Sequence, residues 1–291
     1  MRVLVGIPAF NEEGNIGRII RELEGTASGI IVCDDCSTDG TAGVASSMGA
    51  EVVRHEKNSG YGAGIGSIFK KAKGMEFDVL VTMDADGQHR VEDVAALVRP
   101  IRDGEADIVI GSRFMGKESD IPRYRKAGIK VLTSITNAST GKAITDSQSG
   151  LRAYSRKAVD SLAPADRGMG VSTEILIKAS RAGLRVTEVP AVILYGPDTS
   201  TSHPVSHGVS VLASTIKFTS IEHPLKFYGI PGILLLGIGL FFASWVISEY
   251  AVSGYLITNM AIAGIGAILF GTVLLVTSIL LYVLVSVVRE R

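Results

Sequence analysis

The 291-residue sequence holds only two cysteines, one tryptophan and no net charge, with 29 Lys and Arg against 29 Asp and Glu. Cys33 and Cys36 form a lone CxxC with no second pair to complete a structural zinc site, and they lie between a strand-like run and a turn. Charge balance removes the basic surface that nucleic-acid binding requires, so no nucleic acid is expected as a partner. Charge is also absent over 227–248 and again over 250–288. Each of these runs is long enough to cross a bilayer core, which takes about 20 residues.

Both runs lie toward the C-terminus, and the chain opens directly on a strand-like MRVLVGI, so neither reads as a signal peptide. Lys226 precedes the first run, Arg289 and Arg291 follow the second, and the connection around 249–259 has no Lys or Arg. By the positive-inside rule this predicts a cell-membrane protein with two spans, 227–248 and 260–288, and a cytoplasmic N-terminal domain. Ala263, Ala267 and Gly271 recur at four-residue spacing, a pattern suited to helix packing within the hairpin or between protomers of a homo-oligomer.

The first 190 residues alternate strand-like runs (3–7, 30–33, 52–54, 77–83, 108–110) with helical ones (14–24, 40–48, 61–73, 91–102). Such alternation predicts an α/β fold with a mostly parallel sheet covered by helices. Beyond it lie a helix over 129–138, an extended piece at 150–154, a helix over 171–182 and a strand at 184–189. The expected organisation is an α/β domain over 1–200, an amphipathic segment at the membrane interface over 201–226, and a two-helix transmembrane hairpin over 227–291.

Polar loops follow four successive strands. They are Pro8-Ala9-Phe10-Asn11-Glu12-Glu13, the CDDCSTDGT stretch with Asp34 and Asp35, Asn58-Ser59-Gly60-Tyr61-Gly62, and Asp84-Ala85-Asp86-Gly87-Gln88. At the carboxyl ends of parallel strands they converge on one cleft. Carboxylates in the second loop can accept from a base N–H or a ribose hydroxyl, and glycines in the third allow backbone to approach a ligand. Two carboxylates in the fourth suit Mg²⁺ or Mn²⁺ on a diphosphate, although an isolated Asp-x-Asp is equally a turn. Six cations lie between Arg113 and Lys130, including Arg123 and Arg125. They suit a lipid phosphate or anionic headgroups, or an ordinary solvated face.

PAFNEE, CDDCSTDGT, NSGYGAG, DADGQH, GSRF and TDSQSGLRAY, in this order over roughly residues 1–190, resemble the family 2 glycosyltransferases. The chain is most similar to their dolichyl- and polyprenyl-phosphate sugar synthases, a branch that also carries C-terminal spans. The resemblance implies a GT-A, Rossmann-like nucleotide-sugar domain. It also implies inverting transfer from a UDP- or GDP-linked sugar to a polyprenyl or dolichyl phosphate at a bilayer. By motif match, Pro8, Asn11, Glu12, Asp34, Asp35, Asn58, Gly60 and Asp84 line the nucleotide-sugar pocket. Asp84, Asp86 and Gln88 take Mg²⁺ or Mn²⁺, with Asp86 the direct ligand, and Asp86, Arg113 and Asp146 form the catalytic group. An ionised lipid phosphate needs no strong base, so Asp146 is expected to position rather than deprotonate.

One departure stands out. Many members of the family follow the last strand with an Arg and a Gly-x-Ser-Lys that clamps phosphate, whereas this chain has no Lys or Arg from 191 to 215. His203 and His207 are the candidate replacements, with Arg123 and Arg125 as further phosphate or acceptor candidates. Two alternatives stay open: a family 2 enzyme extending a lipid-linked glycan at a hydroxyl, which needs a true base, and a non-catalytic, membrane-anchored nucleotide-sugar binding protein.

Overall fold

Valine- and isoleucine-rich runs form a seven-stranded sheet in the first part of the computed structural model, which describes residues 1–116, 121, 123–192, 220 and 224–289, with backbone alone for 123–125 and 286–289. The strands are β1 (Val3–Ala9), β2 (Gly29–Asp34), β3 (Glu51–Arg54), β4 (Val79–Thr82), β5 (Ile108–Ser112), β6 (Arg152–Ser155) and β7 (Val186–Pro190). Their order is β3-β2-β1-β4-β6-β5-β7. The chain runs outward from β1 through β2 to β3, then returns to place β4 on the other side of β1. That reversal is the switch point at which open α/β sheets bind ligands. β1 and β2 end level, with Ala9 beside Asp34, whereas β4 ends three residues earlier, with Thr82 beside Gly6.

Helices cover both faces. Val3, Val5, Ile7 and Ala9 of β1 enter one core with Ile16, Ile19 and Ile20 of α1 (Glu13–Glu22), Ala45 of α2 (Thr41–Ser47) and Leu97 of α4 (Asp93–Arg102). Leu4 faces the other core, built on Ile65, Ile68 and Phe69 of α3 (Tyr61–Lys73), Val159 of α6 (Arg156–Ser161) and Ile175 of α7 (Val171–Arg181). Burial on both faces explains why these strands read as continuous apolar runs.

Two features depart from the strand–helix reading. The extended piece at 150–154 is β6, which inserts antiparallel between β4 and β5. The helix expected over 129–138 is α5 (Arg123–Thr140), longer at both ends.

The chain divides into two compact units, Met1–Thr215 and Ile216–Arg291. In the second, a π-helical turn (Leu225–Gly229) leads into two apolar helices, Ile230–Ser253 and Thr258–Arg289, each long and apolar enough to cross a membrane. Glu249 belongs to the first helix, and the connection is 254–257 rather than 249–259. The helices meet along small residues seven apart: Gly232 and Gly239 against Gly264 and Gly271. A Cβ on Gly239 would lie 2.9 Å from the Gly264 carbonyl oxygen, and one on Gly271 2.9 Å from that of Gly232. Ser278, one heptad further, donates to the Pro224 carbonyl at 3.0 Å. The expected Ala263–Ala267–Gly271 stripe is therefore not the seam within the hairpin. Ala263 is exposed and Ala267 half-buried, and of the three Gly271 alone is in the seam.

Candidate active site

The first two loops are knitted together by side chain–backbone bonds. Asn11 sits at φ 55, its amide donates to Ser37 Oγ at 2.9 Å, and its side-chain oxygen accepts from the Thr38 amide at 2.9 Å. Glu12 donates its amide to Thr41 Oγ1 at 2.8 Å, and its carboxylate, pushed up by burial, accepts from Asn15 Nδ2 at 2.8 Å. Pro8 packs under Gly64 of α3. Asp34 is fully buried, accepts from the Ser37 amide at 3.1 Å and lies 3.1 Å from Arg54 Nε. Asp35 is bonded three ways, to His55 Nδ1 at 2.6 Å and to the Ser59 and Gly60 amides at 2.8 Å each. Both acids thus organise the loops around the cleft. Asn58 is exposed.

The third loop has a different physical basis from the one its glycines suggest. A Cβ on Gly62 would sit 2.2 Å from the Asp166 carbonyl oxygen, and one on Gly60 2.4 Å from that of Arg167. The close approach is made by the chain's own 166–168 backbone, and the Arg167 carbonyl accepts from the Gly62 amide at 3.0 Å. Glu174, buried on α7, holds this backbone by accepting from the Ala165 and Asp166 amides.

At the end of β4, Asp84 accepts from Tyr61 Oη at 2.9 Å and pairs with His89 Nε2 at 3.2 Å. Burial raises its carboxyl, but the hydrogen bonds from His89 and Tyr61, with the charge of Arg113, bring it below the usual range. Asp86 accepts from the Gln88 amide at 3.0 Å. Burial first, and the negative Asp84 second, push its carboxyl up to about 6. Two carboxylates crowded so that one resists ionisation form a site that a cation would relieve. Among the described residues no group of three or more His, Cys, Asp and Glu side chains forms a ready cage. Asp84, Asp86 and Gln88 nevertheless fit Mg²⁺ or Mn²⁺, because such ions commonly take one or two carboxylates and complete their shell with substrate phosphate and water.

On the other side of β4, the Arg113 guanidinium clasps Asp146 bidentately, Nε to Oδ2 at 2.6 Å and Nη2 to Oδ1 at 2.7 Å. Asp146 is fully buried. Its loop is tied to β7 by Glu188, which accepts from the Thr145 and Asp146 amides at 2.7 and 2.9 Å. Arg152, also buried, donates to the carbonyls of Ser147, Ser149 and Ser172. Tyr61, His89 and their partner Asp84 all lie within motifs visible in the sequence, but the contact between Tyr61 and Asp84 joins two motifs and is not visible there. Glu188 carries no local signal, since its contacts are 42 and 43 residues away. Arg123 and Arg125 lie in the first turn of α5, their side chains outside the described residues, as are His203, His207 and most of 201–226.

The mixed sheet, with acids at the switch point and helices on both faces, is a GT-A-like fold of the nucleotide-sugar transferase class, as its solved neighbours are. The glycosyl transferase family 2 profile matches residues 4–163, and the chain belongs to that family; it is a glycosyltransferase. It is 32% identical over 228 residues to the UDP-N-acetylglucosamine–dolichyl-phosphate N-acetylglucosaminyltransferase of Methanococcus voltae, covering 71% of this chain and 89% of that one. It is 33% identical over 202 residues to the undecaprenyl-phosphate mannosyltransferase of Micrococcus luteus, covering 65% and 82%. Among solved structures it is similar to glucosyl-3-phosphoglycerate synthase of Mycobacterium tuberculosis in complex with Mg²⁺ and UDP, at 25% identity and TM-score 0.58, covering 74% of this chain and 78% of that one.

Proposed function

We propose that the chain transfers a sugar from a nucleoside diphosphate to the phosphate of a polyprenol at a membrane surface, with inversion at the anomeric carbon. The observation that carries this is an acid pair, Asp84 and Asp86, at the β4 end of a family 2 fold, in one chain with two helices able to cross a bilayer. Both relatives above are named for lipid-phosphate acceptors. The third loop and the two acids it borders, Asp34 and Asp35, frame the nucleoside. Asp84, Asp86 and Gln88 would hold the cation at the diphosphate, both carboxylates as ligands and Asp86 first among them. When bound, such a cation neutralises charge growing on the departing diphosphate.

A lipid phosphate oxygen forms the new bond to the anomeric carbon as the bond to the diphosphate breaks on the opposite face. Its second pKa lies at about 6, so it arrives ionised and no proton need be removed. The Arg113–Asp146 pair fits that chemistry better than transfer to a hydroxyl: a carboxylate with both oxygens given to one guanidinium is poorly placed to take a proton. Asp146 therefore holds Arg113 at the site. With a lipid acceptor and cytoplasmic nucleotide sugars, the catalytic unit belongs on the cytoplasmic side. In the test, Asp86→Ala and EDTA each lower transfer by at least about 100-fold while the chain stays folded. Full activity in either case would overturn the assignment.

A further inference from the structure

We propose that Tyr61 and His89 are positioning residues that fix the Asp84 carboxylate and so set the chain's affinity for a divalent cation. The inference rests on the reading above, in which Asp84 and Asp86 take Mg²⁺ or Mn²⁺. Three separate segments enclose Asp84. Tyr61, the first residue of α3, bonds one oxygen at 2.9 Å, and His89, beyond the Asp86–Gln88 turn, meets the other at 3.2 Å. The backbone at Gly150 forms the third wall, where a Cβ would lie 2.5 Å from Asp84 Oδ2. Each carboxylate oxygen has about two acceptor sites, so one on each remains for a cation. The arrangement leaves Asp84 able to ligate but not to turn.

Among the described residues Asp84 is the one hydrogen-bond partner of the His89 ring. The side chain is 3% exposed, Nδ1 has no such partner, and Asp86 feels the ring electrostatically. Buried polar groups are normally hydrogen-bonded, and for this ring the bond to Asp84 meets that need. Because a carboxylate accepts, Nε2 carries the proton in that bond. Tyr61 is set from a distance: Glu174 holds 165–166, the Arg167 carbonyl takes the Gly62 and Ala63 amides, and that docking fixes the start of α3. Groups that orient a ligating side chain commonly change metal affinity 10–100-fold.

The experiment titrates the full-length chain in detergent with Mn²⁺ in the presence of UDP and, separately, GDP, reading free Mn²⁺ by electron paramagnetic resonance. Tyr61→Phe and His89→Leu each raise the Mn²⁺ Kd about 10-fold, and His89→Gln, which keeps an N–H donor, recovers most of the loss. In an Asp84→Asn background Tyr61→Phe adds nothing, because the residue acts through the group already changed. A folded Tyr61→Phe chain with a Kd within about twofold of the parent, or one whose loss persists in full beside Asp84→Asn, overturns the inference. If the parent chain binds no Mn²⁺ with either nucleotide, the metal reading itself fails, a result separable from failure of the Tyr61–His89 role alone.

Discussion

Arg113 and Asp146 show how much of this site is internal scaffolding. A guanidinium that is mostly buried and a carboxylate that is fully so must satisfy each other, and breaking such a pair by removing one partner costs roughly 3–5 kcal/mol. Asp146→Asn keeps the shape but loses the charge, and we expect kcat to fall about 100-fold through misplacement of Arg113. If Asp146 is a positioner, the acidic limb of the pH–rate profile stays where it was. A limb that disappears with the carboxylate would identify it as a base and favour a hydroxyl acceptor. Cysteine offers a second check at this scale. Burial, with Asp35 nearby, pushes the Cys33 thiol up to about 12, whereas Cys36 is half-exposed. Thiolates react, thiols do not, so iodoacetamide at pH 8 labels Cys36 and spares Cys33 by mass spectrometry. Rapid labelling of Cys33 would contradict the packing of β2 under α3.

At the level of elements, long-range docking decides what local pattern leaves open. Asp84 and Asp86 were legible because an apolar strand run stops at them. The bond from Tyr61 to Asp84 was not, since it depends on how α3 is seated by a loop 100 residues on. The 150–154 piece read as extended, but nothing in four residues of β6 tells antiparallel insertion from an added edge. The same limit applies to the apolar hairpin. Small residues four and seven apart both return to one side of a helix, so the 263–267–271 and 264–271–278 stripes cannot be ranked without the partner helix. Gly239→Ile should wedge the pair apart, because a Cβ there already lies 2.6 Å from Ile268 and 2.8 Å from its amide. Overpacking of this kind costs about 1–3 kcal/mol, which lowers Tm measurably in detergent, while Ala263→Leu on the exposed side leaves it unchanged. Equal effects of the two changes would place the seam elsewhere.

For the molecule as a whole, the class of fold was readable from alternation and the family from six ordered motifs, and the sheet order explains why those motifs act together. β1 lies between β2 and β4, so loops distant in the sequence open side by side at the switch point. The phosphate clamp was the part least readable, because the chain replaces the expected cations after β7 with a stretch holding His203 and His207, outside the described residues. Joining this catalytic unit to two apolar helices makes sense if the acceptor itself cannot leave the bilayer. The most direct test incubates the full-length chain with polyprenyl phosphate, Mg²⁺ or Mn²⁺ and a panel of radiolabelled UDP- and GDP-sugars, then extracts the lipid. The account predicts one sugar recovered in a lipid-linked product split by mild acid, and no product with EDTA. Donor hydrolysis without lipid labelling across the whole panel, or undiminished labelling in EDTA, would contradict it.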